Sequence, residues 1–431
     1  MSIGSMTPVG WDEFYRIAKD AGVTLPPEQS IAWDAFDEAT PGRSPWGRVV
    51  YRGGDGAPRA LLALTRMEVR GFPYLWAKHG PVWLGDDPSP EEEADLRELL
   101  IKGVRHRDRS IVFVRLHAMH AAPDCHELLQ TKTFDRTIIL NLDRDDDEAI
   151  LASFKSRGRR DVRKALRNES LTFADETDRA EEVFDELYAI LTETGERDGF
   201  RAAPKETYLT MLRALGPEHA RLYVARENGG PALAWGLPVL WEDRAIYYYA
   251  ASSHQARRML AADALLYKEA CWLHELGVRT FDLMGIDSER APELAGVRMF
   301  KSKFTQGEPV EVAGAWDVPV RPRLYAALVH ALNAKHTLSA LPEKAQGLAG
   351  KARGGMQALV AKVRAEGGAV REEHAAGAAG SDGAAKAVAD VQPVATPGAK
   401  TADAAGATNI AGVSDTAGTA GSSATADDNE R

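Results

Sequence analysis

Between Lys155 and Arg167 the chain reads KSRGRRDVRKALR, seven Lys or Arg residues against a single acid, Asp161. Fixed cations at that density neutralise phosphates, and binding built on them weakens steeply with salt. A solvated helix face is the plainer reading of a charge run. Against it stands the acidic whole, 53 Lys and Arg to 63 Asp and Glu with a net charge of −10. Lys155, Arg159, Arg160 and Arg163 are therefore taken as phosphate-binding candidates. Tyr247-Tyr248-Tyr249 is a second group. Strand alternation puts Tyr247 and Tyr249 on one face, and burial in a core is the expectation for Tyr248. His117, His120, Cys125 and His126 crowd together in sequence, but no second spaced pair completes a tetrahedral set, so no metal is expected. Asp282 suits either catalysis or a structural hydrogen bond to a neighbouring turn.

Composition bounds what can hold these groups. Residues from about 365 to 431 are mainly Ala, Gly, Thr, Asp and Ser, with no Leu, Met, Phe, Tyr or Trp; such a stretch cannot build a core. All nine Trp and all twelve Phe lie in the remainder, which is long enough for two domains. No charged-then-apolar signal precedes Trp11, and the longest apolar stretch, Pro231 to Trp241, is far short of the ~20 residues that span a bilayer. A cytoplasmic protein without an integral membrane segment is expected. Cys125 and Cys271 are isolated from each other in sequence and are expected to be reduced.

The elements repeat. In the first half Arg48 to Arg52, Arg59 to Arg66 and Phe72 to Lys78 read as strands, Glu91 to Arg107 as a helix with Leu96, Leu99, Leu100 and Val104 on one face, and Ile111 to Leu116 as a strand. The second half gives the same order: strands at Leu222 to Glu227, Ala232 to Trp241 and Ala245 to Ala250, a helix at Arg257 to Leu276, a strand at Arg279 to Met284. The turn GDGAP at 54 to 58 lies against NGGPA at 228 to 232, both hairpin chemistry. Helical stretches at 10 to 19 and 29 to 38, and at 178 to 196 and 205 to 215, precede the two halves. Two copies of one α/β unit are predicted. The expected bounds are 8–150 and 151–322, then a helical extension over 323–365 packing on the second unit or trailing from it, with helices at Leu324 to Ala334 and Met356 to Ala365, and a disordered tail over 366–431.

Mixed strands with hairpins and one long helix resemble the GNAT acyltransferase fold, and two such units in tandem resemble the FemABX family. Six segments carry the likeness, in order: KHGPVW (78–83), FKSRGRRDVRKALRNESLTF (154–173), TGERDGF (194–200), YYYAASS (247–253), FDLMGID (281–287) and MFKSKF (299–304). The resemblance spans roughly residues 10 to 320. It implies an α/β (α+β) protein of two tandem GNAT-like domains that transfers an amino acid from aminoacyl-tRNA to the stem peptide of a peptidoglycan precursor. The compact run from Glu206 to Leu215 into the Arg221 strand leaves no room for a coiled-coil arm, so the armless members are the better match.

In that reaction an amine attacks an activated ester, and positioning with electrostatic stabilisation supplies most of the rate. The resemblance implies Lys301, paired with Phe300, as the cation at the tRNA end; Lys303, two residues on, points to the same face on a strand, which leaves the choice between the two lysines open. Arg197 is implied as a clamp for the precursor, with Tyr249, or its rival Tyr247, as a substrate hydroxyl. The basic segment would hold tRNA phosphates. Partners implied are aminoacyl-tRNA and a nucleotide- or lipid-linked muropeptide, with peripheral membrane contact left open; no cofactor is implied. One departure stands out: after QSIAWDAFD (29–37) many members carry a lysine where this chain has Asp37, and the strand FVRLH (113–117) lacks an acid seen in some relatives.

Two other functions compete. An acyl-CoA N-acyltransferase shares the fold, but its pyrophosphate loop needs glycines so that backbone N–H groups can approach, and the corresponding HQARRMLAAD (254–263) has none. A non-catalytic precursor-binding protein is the other.

Overall fold

The computed structural model describes residues 4–69, 71–129 and 133–339, with side chains described to 332. The strands are β1 (Ser5–Val9), β2 (Ser44–Arg52), β3 (Pro58–Val69), β4 (Phe72–Trp76), β5 (Val82–Trp83), β6 (Phe113–Ala118), β7 (Arg136–Asn141), β8 (Leu171–Asp175), β9 (Tyr223–Glu227), β10 (Ala232–Trp241), β11 (Arg244–Ser252), β12 (Thr280–Gly285), β13 (Val310–Glu311) and β14 (Gly314–Pro319). The helices are α1 (Trp11–Asp20), α2 (Ile31–Ala39), α3 (Pro90–Arg107), α4 (Asp147–Ala152), α5 (Ser156–Leu166), α6 (Ala180–Asp198), α7 (Lys205–His219), α8 (His254–Met259), α9 (Ala261–Glu275), α10 (Ala295–Lys301) and α11 (Pro322–Ser339).

Two sheets result. The first runs β1-β2-β3-β4-β6-β14 with β5 against β3, and the second β13-β7-β12-β11-β10-β9-β8. The duplication predicted from sequence is present in each: two antiparallel pairings, then a helix, then a parallel return, β4 with β6 and β11 with β12. Local chemistry fixes the ends. Ser89 accepts from the Glu92 N–H while the Glu92 carboxylate accepts from the Ser89 N–H, Pro90 opens α3, and Arg105, His106 and Arg107 close it, which satisfies orphan donors and the helix dipole together. Each of the first nine residues of β10 is buried, as a central strand covered on both faces must be.

The two sheets do not divide the chain at 150. β7 pairs with β12 and β13, so the second sheet begins before residue 141, and β14 pairs along its length with β6 of the first sheet. The later crossing is anchored by Arg115 on β6, whose guanidinium meets Asp317 on β14 at 2.7 and 3.1 Å with both groups buried. The extension also lies elsewhere than expected. Tyr325, Leu328 and Leu332 of α11 pack with Met67, Phe72, Tyr74, Trp76, Val112 and Phe113 of the first half, because β14 delivers the chain to that sheet. The predicted helix at Met356 to Ala365 and the tail from 366 lie outside the described residues.

Candidate active site

β11 and β12 run parallel only over Arg244–Ile246 and Thr280–Asp282. Beyond them β12 shifts register against β7 between Asp282 and Gly285, while β11 follows β10 to Ser252. The strands part there and open a wedge. In the first sheet the matching pair, β4 and β6, meets only at Leu75–Trp76 and Val114–Arg115, and the turn after β4 fills the gap: Ala77 N–H donates to the Arg115 carbonyl and His117 N–H to that of Gly80, both at 2.8 Å. In the second copy, among the described residues, no backbone hydrogen bond bridges β11 and β12 beyond Ile246 and Asp282.

At the mouth of the wedge β11 is bulged. Leu237 faces Tyr249 and the next residue, Pro238, faces Tyr247, so Tyr248 has no partner on β10. Proline has no N–H to give a ladder, and one extra residue on a strand reverses the alternation beyond it. The facing predicted for the tyrosines is therefore wrong. Tyr247 packs edge-on against Phe281 at 5.8 Å, whereas Tyr248 and Tyr249, rings 5.1 Å apart, both line a pocket between the two halves.

That pocket, narrow and partly open to solvent, is lined by Trp33, Phe36, Asp37 and Arg43 from around α2, Thr65 and Met67 from β3, Trp76 and Lys78 from β4 and its end, and Met211, Tyr248 and Tyr249 from the second half. Lys78 crosses between the halves, donating from Nζ to the Tyr248 hydroxyl, with the rings of Tyr248, Trp33 and Trp76 at 4.6, 5.1 and 5.3 Å. Desolvation lowers its pKa to about 8 against the pull of Glu28, with Arg43 lowering it further. Asp37 accepts from Thr65 Oγ1 at 2.5 Å and lies 3.9 Å from Arg43. Burial raises its carboxyl to about 6, offset in part by the Thr65 hydrogen bond.

Behind the pocket lies a buried polar group from both halves. His79 sits at φ 51°, a left-handed conformation costly for a side-chain-bearing residue. Its Nε2 is 3.5 Å from Glu28, and its ring stacks on His117 at 5.1 Å. Desolvation pushes both imidazoles toward the neutral form and raises Glu28. From β12, Asp282 accepts from Thr137 Oγ1 and from the Met284 N–H at 2.7 Å. This is the structural role considered for Asp282: it holds the β12 kink, where Met284 takes φ 65°.

Lys301 lies beside that kink, 3% exposed, donating to the Gly285 carbonyl at 2.9 Å. Desolvation lowers its pKa to about 7 while Asp282 pulls it upward. The segment around it is helical rather than extended, so Lys301 and Lys303 do not share a face: Lys303 pairs with Asp263 of α9. Phe300 is a core residue, 5.1 Å from Phe304. Arg197, in the last turn of α6, reaches the end of β11, donating to the Ser252 carbonyl at 2.9 Å and twice to Asp198 at 3.0 Å. Its fork is already occupied.

The basic segment forms α5, seated on the Lys301 segment. Lys155 N–H donates to the Lys303 carbonyl at 3.0 Å, and a Cβ on Gly158 would come within 2.3 Å of that oxygen, so only glycine permits the approach. Lys155, Arg160 and Arg163 are exposed, Arg160 beside Asp161 and Arg163 beside Glu148. Arg159 is half-buried and donates to the Phe154 and Ala152 carbonyls. His117, His120 and His126 do not converge: His117 Nδ1 lies 2.8 Å from the Ala313 carbonyl, His120 Nε2 3.1 Å from that of Pro88, and His126 bridges to Asp317. Lys78 and Arg43 escaped sequence reasoning as site residues; Trp33 entered only as part of QSIAWDAFD, and Lys78 only as part of KHGPVW.

These strands, the wedge and the duplicated plan define a class, the GNAT-type acyltransferase fold, and residues 152–291 match the family model described as an acetyltransferase (GNAT) domain. Within that class the chain is similar to the UDP-N-acetylmuramoylpentapeptide-lysine N(6)-alanyltransferase of Weissella viridescens, 30% identical over 145 residues, or 34% of this chain and 42% of that protein. It thus spans less than half the length of that relative. The crystal structure of FemX shares the fold, with a TM-score of 0.57 at 17% identity over 75% of this chain and 99% of the other. The resemblance to FemABX proteins thus stands on both a sequence relative and a fold neighbour. No helix among the described residues is long and apolar enough to cross a membrane.

Proposed function

We propose that this chain is an aminoacyltransferase that moves an amino acid from aminoacyl-tRNA to the stem-peptide amine of a peptidoglycan precursor, in the cytoplasm where charged tRNA is found. The observation that carries the reading is the 30% identity to an alanyltransferase named for that acceptor. The wedge between β11 and β12 takes the aminoacyl end, and the pocket under Tyr248 and Tyr249 takes the acceptor. α5 and Lys301 lie in one packed unit beside the wedge, which suits a polyanion that must cross the surface before its end enters the site. Lys301 acts there from beneath the β12 kink, and Arg197 from the end of β11, where a phosphate would have to displace Asp198.

The acyl-CoA reading is kept alive by the GNAT family match. Against it, α8 is short, Leu260 with φ 58° breaks it from α9, and no glycine opens either. The deciding test offers a mixture of labelled aminoacyl-tRNAs and purified muropeptide precursors, with and without RNase, beside a reaction supplied with acetyl-CoA. RNase-sensitive label on the precursor is the expected result; acetyl transfer alone would replace this function with the acyl-CoA one.

A further inference from the structure

We propose that Lys78 is the group that takes the proton released when the acceptor amine attacks, so that the first half of the chain lends an acid–base residue to a transfer site built on the second. The role rests on the aminoacyl-transfer reading above and makes it more specific.

Four observations converge on Lys78. Its side chain lines the pocket between the halves. It stands at the wedge mouth, because its hydrogen-bond partner is the hydroxyl of Tyr248, the bulged residue where β11 and β12 part. That partner is a neutral phenol, and the rings of Trp33, Trp76 and Tyr248 enclose the ammonium, an arrangement that shields the charge from water while Glu28 and Asp37 act on it through space. Asp37 lines the same pocket, supplying a carboxylate to draw in an acceptor that arrives as an ammonium ion, with aromatic faces to receive it.

The proton count requires such a group. An acceptor ammonium and an aminoacyl ester yield an amide, a free ribose hydroxyl and one proton: the new C–N bond forms, the ester C–O bond breaks, and the leaving oxygen keeps one of the two protons the nitrogen sheds. A lysine that is neutral when the ammonium docks accepts the other. Burial loosens its proton against the pull of Glu28, and Arg43 loosens it further against Asp37, leaving a pKa of about 8, close to the operating pH at which a general base is most effective.

The test uses the full chain and four forms, wild type, Lys78→Met, Lys78→Arg and Tyr248→Phe, with thermal unfolding to show that each folds. The wild type should transfer in an RNase-sensitive manner, with kcat/KM rising with pH to a plateau above about 8. Lys78→Met and Lys78→Arg should each lose roughly 10²-fold or more in kcat, the scale of general base catalysis, at an acceptor KM little changed, and their rates should climb with pH without that plateau. In parallel, acetic anhydride labelling of Lys78 across pH, read by peptide mass spectrometry, should give a midpoint near 8 that shifts in Tyr248→Phe. An ordinary lysine midpoint, a Lys78→Met form that keeps the plateau, or a loss confined to KM would overturn the role while leaving the transfer reading intact. Absence of RNase-sensitive transfer in the wild type would overturn the transfer reading, and this role with it.

Discussion

Arg115 and Asp317, 202 positions apart, form a two-point ion pair buried beneath Tyr325, whose hydroxyl is 3.4 Å from the same carboxylate. The pair ties the edge strand β14 to the first sheet. Breaking a buried pair from one side leaves a charge unmatched, at a cost of about 3–5 kcal/mol. Asp317→Ala should lower the free energy of urea unfolding by that amount, and a loss below about 1 kcal/mol would mean that Arg115 finds water or another partner.

The bulge separates three adjacent tyrosines by their surroundings. Tyr247→Phe should leave acceptor KM and kcat near wild type, since its ring packs in the core against Phe281. Tyr249→Phe should raise acceptor KM several-fold, about 1 kcal/mol for one hydrogen bond. Steady-state kinetics of the two single variants decides the matter, and a reversed order would show that the bulge is misplaced.

Lys301 predicts a pH dependence of stability. Its folded pKa, about 7, lies below the unfolded lysine value of ~10.4, so the unfolded chain binds more protons between the two. The cost of burying the charge is complete below pH 7 and is relieved as pH rises toward 10. Relative to Lys301→Met, the wild type should gain stability across that window, by up to roughly 1.4 kcal/mol per pH unit. Denaturant titrations at several pH values test this; parallel curves for the two proteins would place the ammonium in water. In the transfer assay Lys301→Ala should abolish activity while the fold persists.

α5 divides its cations between solvent and carbonyl groups. Replacing Lys155, Arg160 and Arg163 by Gln should weaken tRNA binding and flatten the slope of log affinity against log salt by about 2–3, at ~0.7–0.9 per phosphate contact. Arg159→Gln should instead lower stability, because its guanidinium holds the carbonyls that end α4. Filter binding across a salt series separates the two behaviours.

The duplication was legible because hairpin turns and apolar periods survive in both halves, and the wedge strands fell where YYYAASS and FDLMGID placed them. Three things were not. The bulge depends on Pro238, a residue on the neighbouring strand, and alternation along β11 alone carries no trace of it. The helical form of Met299 to Phe304 was hidden because six residues with aromatic and basic alternation suit either period. The pocket joins residues from α2, β3, the end of β4 and β11, so its members share no window of sequence; Lys78 gains its interest only from Tyr248, 170 positions away.

The return of β14 to the first sheet has a consequence for synthesis on the ribosome. Every strand of the second sheet, from β7 through β13, ends by Glu311, before β14 begins at Gly314. The half that starts the chain therefore waits, one strand short and with the Arg115 guanidinium unmatched, while the later half has all the sequence it requires to close. Order of emergence and order of completion are inverted, and a nascent chain halted just short of β14 would carry a finished second sheet beside an open first one.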